Sequence, residues 1–254
     1  MSGLSDPSRR DRPCRAPLTG SVRGPRAAVF SAVLLAGATG KALAHSIGGR
    51  DAAFVAATRG PAPGPFVYLG AKHMVTGYDH LLFLVAVVFF LHRFRNIALF
   101  VTLFALGHSI TLLVGVMLDI GFDAHLVDAV IGLSVVYKAL DNIGAFERMI
   151  GARPDPRLAV FGFGLVHGLG LATRLQALRL QPEGLIANLL SFNVGVELGQ
   201  IVALSLVLGI ILLWRRSNSF GATALTANWA IMTAGFVLTG LQLATYLYPM
   251  GGKT

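Results

Sequence analysis

The chain has 254 residues, of which 54% are hydrophobic and only 13% charged, and its mean hydropathy is +0.68. A soluble domain carries about twice that charged share, and the apolar residues here form long runs without the short alternation of a transmembrane barrel, which excludes both classes. The net charge of +9 lies in an N-terminal head and in loops without interleaved aromatics, so it points to no nucleic-acid partner.

Before residue 27 stand six arginines, Arg9, Arg10, Arg12, Arg15, Arg23 and Arg26, followed by an apolar stretch from Ala27 to Gly37 and the triplet Ala42-Leu43-Ala44. A basic head, an apolar run and small residues describe a secretory signal, so residues 1–44 are expected to be removed and His45 to become the mature N-terminus, the alternative being an uncleaved first membrane helix. There its imidazole and the new amine could chelate a metal together. The only cysteine, Cys14, falls in the removed segment. Any metal bound by the mature chain must then use nitrogen and oxygen ligands.

Residues 45–65, polar and rich in Pro and Gly, read as a short external arm. About six spans are expected near 66–91, 96–119, 125–146, 158–178, 184–214 and 224–248, each matching the roughly 20 residues a bilayer requires. They form one transmembrane domain, 66–248, with a tail at 249–254. The fold class is an all-α polytopic membrane bundle. Arg93 and Arg95, then Arg148, Arg153 and Arg157, then Arg215 and Arg216 mark the first, third and fifth connections, whereas the second carries Asp119 and Asp123. The positive-inside rule puts the basic loops in the cytoplasm and both mature ends outside. Arg174 and Arg179 are discordant.

Polar residues inside such spans carry the functional signal, because hydrocarbon is a poor place for imidazole or carboxylate. The first span holds His73 and the pair Asp79-His80. On one continuous helix His73 and His80 lie about 10 Å apart along the axis, so joint binding of one ion needs a bend, which Thr76 and Gly77 could allow. Asp79 suits orienting an imidazole on a neighbouring helix. The bland alternative is a set of interfacial caps. His108 follows Gly107 in the second span, and His167 is set among Gly162, Gly164, Gly168 and Gly170 in the fourth. Each glycine permits close helix approach, and either histidine reads as a ligand or as a hydrogen-bonded packing residue. In the fifth span Asn193, Glu197 and Gln200 share a helical face, as a ligand set or an interhelical network. In the third, Lys138 and Asp141 are spaced to pair, and Asp128 could attract a cation. His92 and His125 read as ordinary loop residues. Imidazole with carboxylate is the donor set of a borderline divalent metal.

The blocks HMVTGYDHLLF (73–83), FALGHSITL (104–112), FGFGLVHGLGLA (161–172) and FNVGVELGQ (192–200) together resemble the HupE/UreJ family, membrane proteins associated with hydrogenase and urease accessory systems. FALGHS and the Asp-His pair also look like parts of the nickel/cobalt transporter signatures. The resemblance implies a permease of the bacterial inner membrane for nickel, with cobalt or zinc as alternatives. It implies hydrogenase or urease maturation proteins as partners. Carried over, the metal candidates are His73, Asp79, His80, His108, His167, Asn193 and Glu197; Asp128 stands where a glutamate is expected.

The leading expectation is therefore a divalent-metal permease and not an enzyme. No GxxxxGK[ST] loop is present for ATP, and titratable imidazoles suit proton coupling. An intramembrane zinc-dependent hydrolase is the rival, since the same residues suit metal-activated water. Three histidine nitrogens near one point, facing a lipid-accessible cleft, would favour it; ligands strung along the membrane normal would favour transport. A haem carrier with paired axial histidines ranks last.

Overall fold

The computed structural model describes residues 50–91, 94–152, 154–177 and 181–248. The expected signal segment, His45, His92 and the tail lie outside them. The described chain is all-helical: α1 (Arg50–Ala57), α2 (Pro63–Thr76), α3 (Tyr78–Val88), α4 (Phe94–Met117), α5 (Ala124–Asn142), α6 (Ala145–Ile150), α7 (Pro156–Ala177), α8 (Leu185–Arg215) and α9 (Phe220–Leu247).

Four of these are long and apolar enough to cross a membrane: Arg95–Met117, Pro156–Ala177, Leu185–Arg215 and Phe220–Leu247. The two other expected spans differ for identifiable reasons. The first is two helices, because the backbone leaves the helix at Gly77. The third, α5, carries Asp128, Lys138 and Asp141 within its 19 residues, and each charged group lowers its apolarity. Asp123 caps its first turn, accepting from His125 N at 2.9 Å and Leu126 N at 3.2 Å.

Small residues decide which helices meet. A Cβ on Gly70 would collide with Phe192 O, and one on Gly195 with Val67 O, so α2 and α8 cross backbone to backbone. Gly164 sits against Phe104 O and Gly168 against His108 O, which joins α4 to α7 in the same way. Gly132 and Gly235 do this for α5 and α9. In lipid the gain from hydrophobic exclusion is absent, so such close approach supplies the association. Thr111 Oγ1 adds a hydrogen bond across the α4–α7 crossing, donating to Leu165 O at 2.7 Å. The outward faces stay apolar, as at Leu206, Ile210 and Leu213 on α8.

The segment expected to be a short external arm is built into the fold. Val55 of α1 is buried, Asp51 pairs with Lys72 at 2.7 Å, and Asn188 of α8 accepts from Ala62 N at 2.7 Å and donates to Gly60 O at 3.0 Å. Gly184, in the left-handed region at φ +76°, lets the chain enter α8 directly against Gly60. Arg174, discordant by loop charge, bonds the buried Asp128.

Candidate metal centre

The helix break is the first step in assembling the site. Gly77 has φ −74° and ψ 105°, a conformation open to any residue. The requirement for glycine is steric: a Cβ there would lie 2.8 Å from His80 Nδ1 and 3.0 Å from His73 O. With the helix interrupted there, the His73 and His80 rings come to 5.0 Å between centroids. This removes the axial separation that a continuous helix imposes.

Asp79 orients the imidazole beside it in sequence, where orientation of a ring on another helix had been the expectation. Its Oδ1 accepts from His80 N at 2.6 Å and faces His80 Nδ1 at 2.7 Å. A carboxylate at Nδ1 holds the proton there and turns the Nε2 lone pair toward the bundle centre. The His80 ring lies 4.9 Å from that of His167 and 6.0 Å from that of His108. His167 Nε2 is 3.4 Å from Ser134 Oγ.

Burial is nearly complete: His80 is 3% exposed, His108 0% and His167 1%. Neither ring nitrogen of His108 has a hydrogen-bond partner, and a neutral imidazole always carries one donor and one acceptor. Asn193, also buried, has neither amide atom bonded. Its level follows from register. Ile97 shares a buried cluster with Ala203 and Ile211, and Gln200 donates to Val101 O at 3.4 Å, so α4 and α8 run antiparallel. Seven residues on from Val101 is His108, and seven back from Gln200 is Asn193.

One nitrogen from each of His73, His80 and His108 lies within 4.8 Å of the others, and so do single ligand atoms of Asp79, His80 and His167. These two sets share His80 and draw on α2, α3, α4 and α7. Glu197 is not brought to them: it is exposed on α8, although Asn193 and Gln200 of the same expected face are buried. A face spanning Asn193 to Gln200 is broad, and the crossings with α2 and α4 cover only part of it. His125, expected to be an ordinary surface residue, bonds Gln242 at 2.8 Å.

A family model described as HupE / UreJ protein matches residues 49–250. The chain belongs to the HupE/UreJ family. No curated protein and no solved structure matches it. Three motif blocks of this HupE/UreJ chain supply the clustered groups, the first His73, Asp79 and His80, the second His108 and the third His167, and the fourth gives the buried Asn193.

Sequence reasoning left the aromatic shell unassigned. Phe104 lies 4.9 Å from the His167 ring and 6.3 Å from that of His108, and Phe83 lies 5.4 Å from His167. Phe83 is three residues after His80 and Phe104 four before His108, so helical spacing alone could have placed each ring on its histidine's face.

Proposed function

We propose that this protein is a permease for a divalent transition metal, nickel first and cobalt or zinc next, and that His73, Asp79, His80, His108, His167 and Asn193 line its path. The observation that carries this reading is the pair of overlapping nitrogen and carboxylate sets sharing His80 at the centre of a membrane bundle. A transported ion must be bound well enough to shed water and loosely enough to leave, and adjacent sites with a common ligand meet both demands. Imidazole with few carboxylates suits nickel, cobalt and zinc over magnesium or calcium. Membership of the HupE/UreJ family supports delivery of the metal to hydrogenase or urease maturation proteins. The same reading places the chain in a bacterial inner membrane with residues 1–44 removed, basic loops in the cytoplasm and both mature ends outside. Glu197, expected with these ligands, is exposed on α8 away from the clustered groups and is left out of the path.

The test is nickel uptake by cells expressing the chain. His80→Ala and His167→Ala should each abolish it; uptake equal to wild type in both would end the reading. The compact set His73, His80 and His108 favours a second reading, an intramembrane zinc-dependent hydrolase, because three imidazoles suffice to hold a catalytic zinc. His80 and His108 of this set are nearly fully buried and His73 is half-buried, whereas a hydrolase needs its metal at a cleft that a substrate can reach. Zinc-dependent cleavage of a membrane peptide by the purified protein would establish this alternative.

A further inference from the structure

α5 carries two buried carboxylates that belong to neither ligand set. Asp128 is 7% exposed and is bonded by Arg174 of α7; Asp141 is 8% exposed and accepts from Lys138 Nζ at 2.6 Å. Between them on the same helix is Ser134, in contact with His167. Asp128 is about 9 Å from Ser134 along the axis and Asp141 about 10 Å beyond it. α5 and α7 are antiparallel here, with Asp128 opposite Arg174, Ser134 opposite His167, and Tyr137 against Phe163 at 5.1 Å. On the Asp141 side of His167 stand the rings of Phe83, Phe163 and Tyr137: Phe83 lies 5.4 Å from His167 and 5.8 Å from Phe163, which lies 5.1 Å from Tyr137.

Buried ion pairs are poor sources of stability, because desolvating both charges offsets most of their attraction. They also sit on the one long helix of the bundle whose apolarity they lower. Fixed cations beside a metal path repel the cargo, yet each is placed on a carboxylate, the group a divalent cation binds in preference to a single positive charge. We propose that Asp128 and Asp141 are entry and exit stations for the divalent cation, one on each side of the histidine centre, and that Arg174 and Lys138 are tethered counter-ions which the cargo displaces. Each pair keeps its station shut and neutral until a metal arrives. The aromatic layer separates the exit station from the histidines, so that a path open to both sides at once is avoided. This rests on the permease reading of the histidine centre.

The test compares signs. In nickel uptake, Arg174→Gln removes this counter-ion from Asp128 and should lower KM about tenfold, what one charge-assisted hydrogen bond is worth. Asp128→Asn should raise KM by a similar factor. A purely structural pair would give both variants the same sign, or lower protein in the membrane with KM unmoved; either result overturns the proposal. Arg174→Lys keeps the pair with a single-point donor and should shift KM down by less; no shift there, should Arg174→Gln fail to reach the membrane, also overturns it. Equilibrium nickel binding by the purified chain should carry the same opposite signs, so the stations are judged separately from transport. The permease reading itself is judged by His80→Ala.

Discussion

His108 is the side chain on which the proposed metal centre can be tested most directly. Its ring is wholly buried on a helix packed against Gly168, and neither nitrogen is bonded. Leaving one buried polar atom unmet costs about 1–3 kcal/mol, a cost that a cation coordinated there would offset. His108→Ala should therefore weaken equilibrium nickel binding by the purified protein while raising, or leaving unchanged, its melting temperature. Glu197→Ala should leave that affinity within about twofold, because an exposed carboxylate contributes little to a buried centre; a loss as large as that of His108→Ala would return Glu197 to the ligand set. Asp79→Asn replaces the acceptor-only carboxylate that holds His80 in one tautomer with a neutral amide that can also donate, and should weaken nickel about 10–100-fold, the usual cost of losing such a partner. Each of these side chains was legible in the sequence as a polar residue in an apolar run. The partner of Asp79 was less so: its neighbour in sequence meets it because the chain turns at Gly77.

At the scale of single elements, the break between α2 and α3 matters more than any one ligand. Alanine tolerates the backbone angles of Gly77 but favours a continuous helix, and its Cβ would press on His80 Nδ1. Gly77→Ala should lower nickel affinity while circular dichroism shows helix content held or slightly raised; unchanged affinity would show that the break is not what joins His73 to His80. The bend was foreseeable from the seven-residue spacing, since two ligands on one ion cannot be two turns apart. α5 was less legible. Its length and hydrophobicity read as an ordinary span, and the Lys138–Asp141 pair followed from i,i+3 spacing, but the partner of Asp128 lies 46 residues away on α7.

For the whole molecule, Arg215 ties the end of α8 to the end of α3, donating to Leu91 O at 2.7 Å and Val88 O at 3.1 Å, with Phe89 O as a further acceptor. Carbonyls at a helix end lack the donors of a following turn; Val88 O also accepts from Leu91 N at 3.0 Å. Arg215→Ala should destabilise the bundle by about 1–3 kcal/mol, read as a lower melting temperature in detergent with nickel affinity little changed. An affinity loss without a fall in melting temperature would contradict this purely architectural role. The residue had been read only as a loop charge that sets orientation.

The sequence alone determined the class of the protein, the positions of its apolar helices, and which polar side chains stand within them, because apolar runs and the cost of imidazole in hydrocarbon are properties of one segment at a time. Tertiary structure decided which of those side chains meet. The glycine crossings of α2 with α8 and of α4 with α7 set the register that brings four histidines together, keep Asn193 inside and leave Glu197 outside. A helical face specifies only a direction, and what lies in that direction depends on how closely and at what level the neighbouring helix packs.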